Sequence, residues 1–429
     1  MNLVIRVVVV LLALISVAVW TQVPDRRSPD LGIGPDRAPA SSVGCPVVTG
    51  RDAVSDALIG VQLPGDADFR ITSGGIDLES GALTIDELAG ASLDIGERVG
   101  ASTVGLVIDL PADGAAASIV TSSDLVLAAA MCTAPVAGET AIAGLSTASG
   151  ENLDLVLANP YANDAVIEIR TISEAGADSA SELESVVVPA RSVVTIDLAQ
   201  VLPLRTRLSI RIIPERGVVH AAGVQSSVNE RMVIEAVRPT EEWLLPVPDT
   251  GTPPTITVLP TAGIDTGYTI DAYTTSGPAE GVMTGTIPAD GQLILDVAAL
   301  PDDTAAVRIT TTGPSVSSVV IESDTIRAGA PGAPGAAPTW IVPGSGGAGA
   351  VVRLANPTGL DAAVEVRSLL GGDAQLVSVP AGTTAVVPTA VPGAGHVVFA
   401  DGDVLVSWSL SSDAGFALGV GQPFLNAGE

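Results

Sequence analysis

Beyond residue 45 the chain is written in short alternating runs. Apolar and polar positions exchange every residue, and each run ends in a cluster of Gly, Pro, Asp or Ser. A period of two is the mark of a strand with one buried face, and the clusters between runs are turn chemistry. A helical period is missing after Trp20. The pattern therefore predicts an all-β protein.

One phrase returns. "LDLVLANPYANDAVIEIR" (Leu153 to Arg170) is answered by "VVRLANPTGLDAAVEVR" (Val351 to Arg367). Proline has no N–H and biases the residue before it away from helix, so Asn-Pro ends a strand and turns the chain. Asn159-Pro160 and Asn356-Pro357 lie 197 positions apart, or two periods of about 95 residues, and Leu259-Pro260 fills the slot between them. Leu63-Pro64 marks the first copy. Pro-Ala recurs at 189–190, 288–289 and 380–381, and Trp243 and Trp340 open successive copies. About seven short strands per copy point to tandem antiparallel β-sandwich modules of immunoglobulin-like type. The alternative is an eight-bladed β-propeller with two blades per copy. The Ala-Gly-Pro stretch 328–338 reads as a linker, which favours the tandem array. The expected modules are 45–138, 139–240, 241–327 and 339–429.

The N-terminus differs in kind. Leu3 to Trp20 is a nearly unbroken apolar run, ~27 Å long as a helix and so close to a bilayer's thickness. Residues 1–21 are expected to be a transmembrane signal-anchor, with a cleaved signal peptide as the alternative. Residues 22–44, rich in Pro, Gly, Ser and Asp, read as a flexible stalk. The expected location is the cell membrane, single-pass, with the bulk of the chain extracytoplasmic. In an exported chain the only two cysteines, Cys45 and Cys132, are expected to form a disulfide between the first and last strands of the first module.

Composition narrows function. Aromatics are 3% of residues, the net charge is −29, and all 19 basic residues are Arg. Such a chain repels nucleic acid. Hydrolase elbow, P-loop and zinc-protease motifs are absent, and two distant histidines, His220 and His396, do not make a metal site. The expectation is no enzyme and no cofactor. Trp243, Trp340 and Trp408 are core anchors or, alternatively, sugar-stacking platforms. The one basic feature is "LPLRTRLSIRIIPER". Its Arg205, Arg207 and Arg211 share one face if the stretch is a strand, a candidate binding stripe for an anionic partner.

The apolar anchor, the Pro/Asp stalk, the early Cys45-Pro46 and the repeats with "LANP" and "VPA" resemble an uncharacterised family of actinobacterial membrane-anchored exported proteins, a domain of unknown function. The resemblance implies a cell-envelope role beside membrane glycosyltransferases and no activity to carry over. The expected function is that of a non-enzymatic, membrane-tethered binding or scaffold partner of a membrane-bound envelope assembly of glycosyltransferase type. The alternative is a protein that binds cell-wall glycan or lipid.

Overall fold

Asn159 shows how the chain builds its corners. Its side-chain amide donates to the carbonyls of Asn163 (2.8 Å), Val188 (3.1 Å) and Pro189 (3.2 Å), and its Oδ1 accepts from the Tyr161 N–H. Asn356 repeats this with Leu360 O (2.7 Å), Val379 O (2.9 Å) and the Thr358 N–H. An aspartate five residues after each asparagine, and five after Pro260 in the third segment, completes the corner. Asp164, Asp265 and Asp361 accept the backbone N–H of Ala190, Ala289 and Ala381 at 2.9, 3.0 and 2.9 Å. The recurring Asn-Pro and Pro-Ala are thus two halves of one hydrogen-bonded corner, and both asparagines are fully buried.

The computed structural model describes residues 41–46, 56–62, 67–73, 76–83, 90–94, 105–110, 116–122 and 127–423, apart from 228–229, 324–325, 343–348, 369–372, 389–394 and 414. All belong to one unit, Pro39–Glu429. The expected membrane span 1–21 and residues 22–40 of the expected stalk lie outside the described residues; residues 41–44, expected to end the stalk, belong instead to strand Ser41–Pro46, which pairs with Gly105–Leu110. Among the described residues no helix is long and apolar enough to cross a membrane.

The architecture is all-β, and the described strands pair antiparallel. One strand order occurs four times. In the second segment one sheet runs Ser192–Asp197, Asn152–Asn159, His220–Ser226, Arg231–Glu235; the other runs Gly176–Asp178, Ala165–Ser173, Leu208–Arg216, Thr140–Leu145. The first, third and fourth segments repeat the order. In the third and fourth, one long strand, Thr304–Glu322 or His396–Ser412, passes through both sheets. In the second it breaks at Gly217 (φ +75°), where a Cβ would come within 2.9 Å of Ala165.

Leu, Ile and Val fill the space between the two sheets of a segment. In the second segment Leu153, Leu155 and Leu157 face Ile167, Ile210 and Ile212. Trp243 and Trp340 are fully buried, and their indole N–H groups donate to Ser315 O and to Ala337 O and Val404 O. That is the core-anchor role.

Each segment is closed by its own ends. Gly44 exchanges both backbone hydrogen bonds with Thr133, Ala141 with Val237, and Leu244 with Ala333; Ile341 pairs with Gln422. In the first segment a disulfide reinforces this closure, Cys45–Cys132, with Cα atoms 4.4 Å apart, as the sequence led us to expect. The four terminal strands, Leu127–Cys132, Arg231–Glu235, Arg327–Pro331 and Gly415–Val420, touch one another in a closed cycle, the fourth returning to the first. Cores accordingly cross segment boundaries: Val120, Leu127 and Ala129 of the first share a cluster with Trp340 and Trp408 of the fourth.

The stretch expected to be a linker, 328–338, is corrected by these contacts. Residues Arg327–Pro331 and Ala337–Val342 are strands, and Ala328, Ala330 and Ala333 are buried. A Cβ at Gly329 would lie 2.6 Å from the Met232 sulfur, and one at Gly332 2.8 Å from the Trp243 ring. Small residues stand here because the interior is crowded, not because the chain swings free.

Candidate functional site

Strand Gly349–Ala355 lies between Thr384–Pro388 and His396–Ser412, so Arg353 has Val386 on one side and Ser407 on the other. Val352 and Leu354 point into the core of the fourth segment. The period of two turns Arg353 to the other face, toward the third segment. Counting back three from the corner asparagines makes Val156 its equivalent in the second segment. In the third, Asp296 caps a helical turn as Asp197 does in the second, and their cross-strand partners are Thr255 and Asp154. That places Thr257 in the same slot.

The three positions meet different neighbours. A Cβ on Gly105 of the first segment would lie 3.2 Å from a Val156 methyl, and one on Gly144 of the second 3.3 Å from the Thr257 hydroxyl. Both are packed against the preceding segment. Arg353 instead lines an open groove of about 930 Å³. One wall is Arg353, Val386, Leu405 and Ser407; the other comprises residues 247–254 and 300–306 of the third segment.

The junction between the second and third segments shows what a sealed boundary looks like. The Ser318 hydroxyl donates to Ala143 O (2.7 Å) and the Ser209 hydroxyl to Gln292 Oε1 (2.6 Å). Arg327 reaches across to Glu151, with both side chains largely buried, and Gln225 donates to the same carboxylate.

Arg353 has no such partner. Its Nη1 donates to Ser409 Oγ (2.7 Å), and among the described residues no carboxylate lies within ion-pair distance. Burial pushes its pKa down from the usual arginine value, and the charge of Asp249 partly opposes that. A half-buried guanidinium with free donors is an electrostatically unfinished site. Among the described residues the side chains of Arg207, Arg216 and Arg238 also have no ion-pair partner, but these three are exposed.

A smaller cavity, about 140 Å³, sits where the terminal strands end, lined by Met131, Glu235, Ala333, Trp340, Trp408 and Val420 among others. Glu235 Oε1 accepts the Met131 N–H at 2.8 Å. Burial raises the Glu235 carboxyl to about 7, against the lowering effect of backbone donors.

Residues 101–390 match the family model described as "Family of unknown function (DUF5719)". The chain belongs to the DUF5719 family. No curated protein matches it. Among solved structures, the DUF5719 chain is matched to the FN1–FN3 domains of chicken CNTN1 at 12% identity, covering 64% of this chain and 94% of that one, with a TM-score of 0.13. A GH78 family rhamnosidase of Bacillus sp. GL1 matches at 8% identity over 90% of this chain and 53% of that one, with a TM-score of 0.14. Likenesses this faint carry no structural argument.

The arginine stripe of the DUF5719 chain is not assembled as expected. The strand begins at Leu208, after a helical turn at Leu198–Val201 and a left-handed Leu204 (φ 62°), so Arg205 and Arg207 precede it. Arg205 is held by Asp178 (2.7 Å), which lies below the usual carboxylate range because Arg205 bonds it. Arg211 is taken by Glu139 (2.6 Å) and by Thr261 O (2.7 Å). Arg207 alone of the three is exposed with no ion-pair partner for its side chain among the described residues, although its backbone N–H donates to Glu174 Oε2 (3.1 Å). His220 and His396 are buried in different segments, and burial lowers both to about 4. Among the described residues no group of His, Cys, Asp and Glu has metal-binding geometry. Asp401, inside strand His396–Ser412, accepts the N–H of Ala363 on the neighbouring strand (2.7 Å). Arg353 was missed from sequence. Its signal was a charge inside "VVRLANP" where the sister phrase reads "LVLANP".

Proposed function

We propose that this chain is a non-enzymatic, membrane-tethered cell-envelope protein whose exported part docks and positions another envelope protein, of the membrane glycosyltransferase type. The observation that carries the reading is the unequal treatment of equivalent junctions. Two boundaries are packed shut at the Val156 and Thr257 positions, whereas the Arg353 position opens on a groove large enough for a polypeptide segment. A groove of Thr, Pro, Asp and aliphatic side chains around one cation offers recognition chemistry.

For the architecture we infer the eight-bladed arrangement in preference to a row of independent sandwiches. It is supported by the closed cycle of terminal strands and by cores shared between the first and last segments.

The experiment is co-purification of full-length protein from envelope membranes. Val386→Trp fills the groove from an exposed position, and Val187→Trp is the control, both being exposed valines at 59% and 53%. A stoichiometric membrane protein that leaves with Val386→Trp and stays with Val187→Trp fits the reading. Retention on isolated cell wall, unaffected by Val386→Trp, favours the glycan alternative.

A further inference from the structure

Resting on the docking reading, we propose that the groove's occupant is an extended protein segment that presents one glutamate or aspartate carboxylate to Arg353, with a basic residue two positions on. The guanidinium is preset for a planar acceptor. Ser409 fixes its plane through Nη1, and among the described residues the remaining N–H groups have no acceptor. A carboxylate there compensates a cation that burial has left without a counter-ion.

The surroundings select among anions. Asp249, Asp302 and Asp303 line the same groove. A dianionic phosphate meets more repulsion from them than a carboxylate does. The same aspartates call for a donor on the ligand, and residues i and i+2 of an extended strand face one side about 6.7 Å apart. A Glu-x-Lys or Glu-x-Arg alternation supplies both charges.

The walls favour protein over glycan. No aromatic ring lines the groove among the described residues, so a sugar face has nothing to stack on. Val247, Leu300, Val386 and Leu405 suit aliphatic side chains instead. Thr384–Pro388 pairs with Gly349–Ala355 and, among the described residues, with no strand on its other side. Its outer edge is free to pair with an added strand.

The test uses full-length protein and fluorescein-labelled peptides. The probes are Val-Glu-Val-Lys-amide and its counterparts with Gln or phosphoserine in place of Glu, and free glucuronic acid is the competitor. The Glu peptide is expected to bind at least about tenfold more tightly than either counterpart. Arg353→Gln should erase that preference and Arg353→Lys restore part of it, with the melting temperature of each variant unchanged. Equal binding of the three peptides, tighter binding of phosphoserine, displacement by glucuronic acid below its millimolar range, or no binding at millimolar peptide each overturns the inference. If Val386→Trp loses the envelope partner while Arg353→Gln keeps it, the docking reading stands and the carboxylate inference falls. If neither variant loses it, both fall.

Discussion

The boundary between the second and third segments and that between the third and fourth are built on the same strands and end differently. At the former, the outward position holds Thr257, beside a glycine that admits close approach, and side chains from each segment satisfy acceptors on the other. At the latter, the position holds Arg353, and the loops opposite stand away from it. A repeated scaffold needs tight boundaries to hold together. Relaxing one of them produces a cavity without altering the strand order, and a single residue type marks which one.

The contrast can be broken most severely at Glu151. Glu151→Ala takes from the largely buried Arg327 the carboxylate that hydrogen-bonds it and leaves only the longer contact to Glu322 (3.6 Å), and removing one partner of a buried ion pair costs about 3–5 kcal/mol. Chemical denaturation should show that loss, and a midpoint unchanged by the substitution would mean the sealed boundary does not depend on this pair. Next comes the covalent closure. The disulfide spans 87 residues, so Cys45→Ala with Cys132→Ala should lower stability by about 4.5 kcal/mol in the chain-entropy account, measured against the oxidised parent.

Glu235 sharpens the comparison with pH. Its folded pKa of about 7 lies above its ordinary 4.5, so the folded state binds the proton more tightly. Its contribution is complete below about pH 4.5 and is lost as pH rises through 7, at most about 3 kcal/mol. Glu235→Gln should therefore gain on the parent between pH 5 and pH 8. Parallel denaturation curves at the two values would show that Glu235 does not titrate in that window. The smallest effect belongs to the open boundary. Arg353→Met removes a cation without a carboxylate partner and should shift stability by less than about 1 kcal/mol, in either direction. A loss as large as that of Glu151→Ala would show Arg353 to be structural.

The sequence was readable where the governing physics is local. Alternation gave strands, Asn-Pro and Pro-Ala gave corners, and a cysteine pair at the two ends of a segment gave its disulfide. Reading failed where distant residues decide. Arg205 and Arg211 looked like a row of free cations, but their partners Asp178 and Glu139 stand 27 and 72 residues away. The Ala-Gly-Pro stretch looked slack because composition does not reveal that Trp243 and Met232 press on it. Arg353 hid because a charge on a strand is ordinary until its surroundings are known.

The return of Gly415–Val420 to Leu127–Cys132 has a consequence for biogenesis. A chain that emerges amino end first must carry the exposed flank of its earliest sheets through nearly all of synthesis, because their covering neighbour is among the last pieces delivered. Final assembly is then a long-range event that waits on release, the kind of topology that folds slowly and benefits from a holding chaperone.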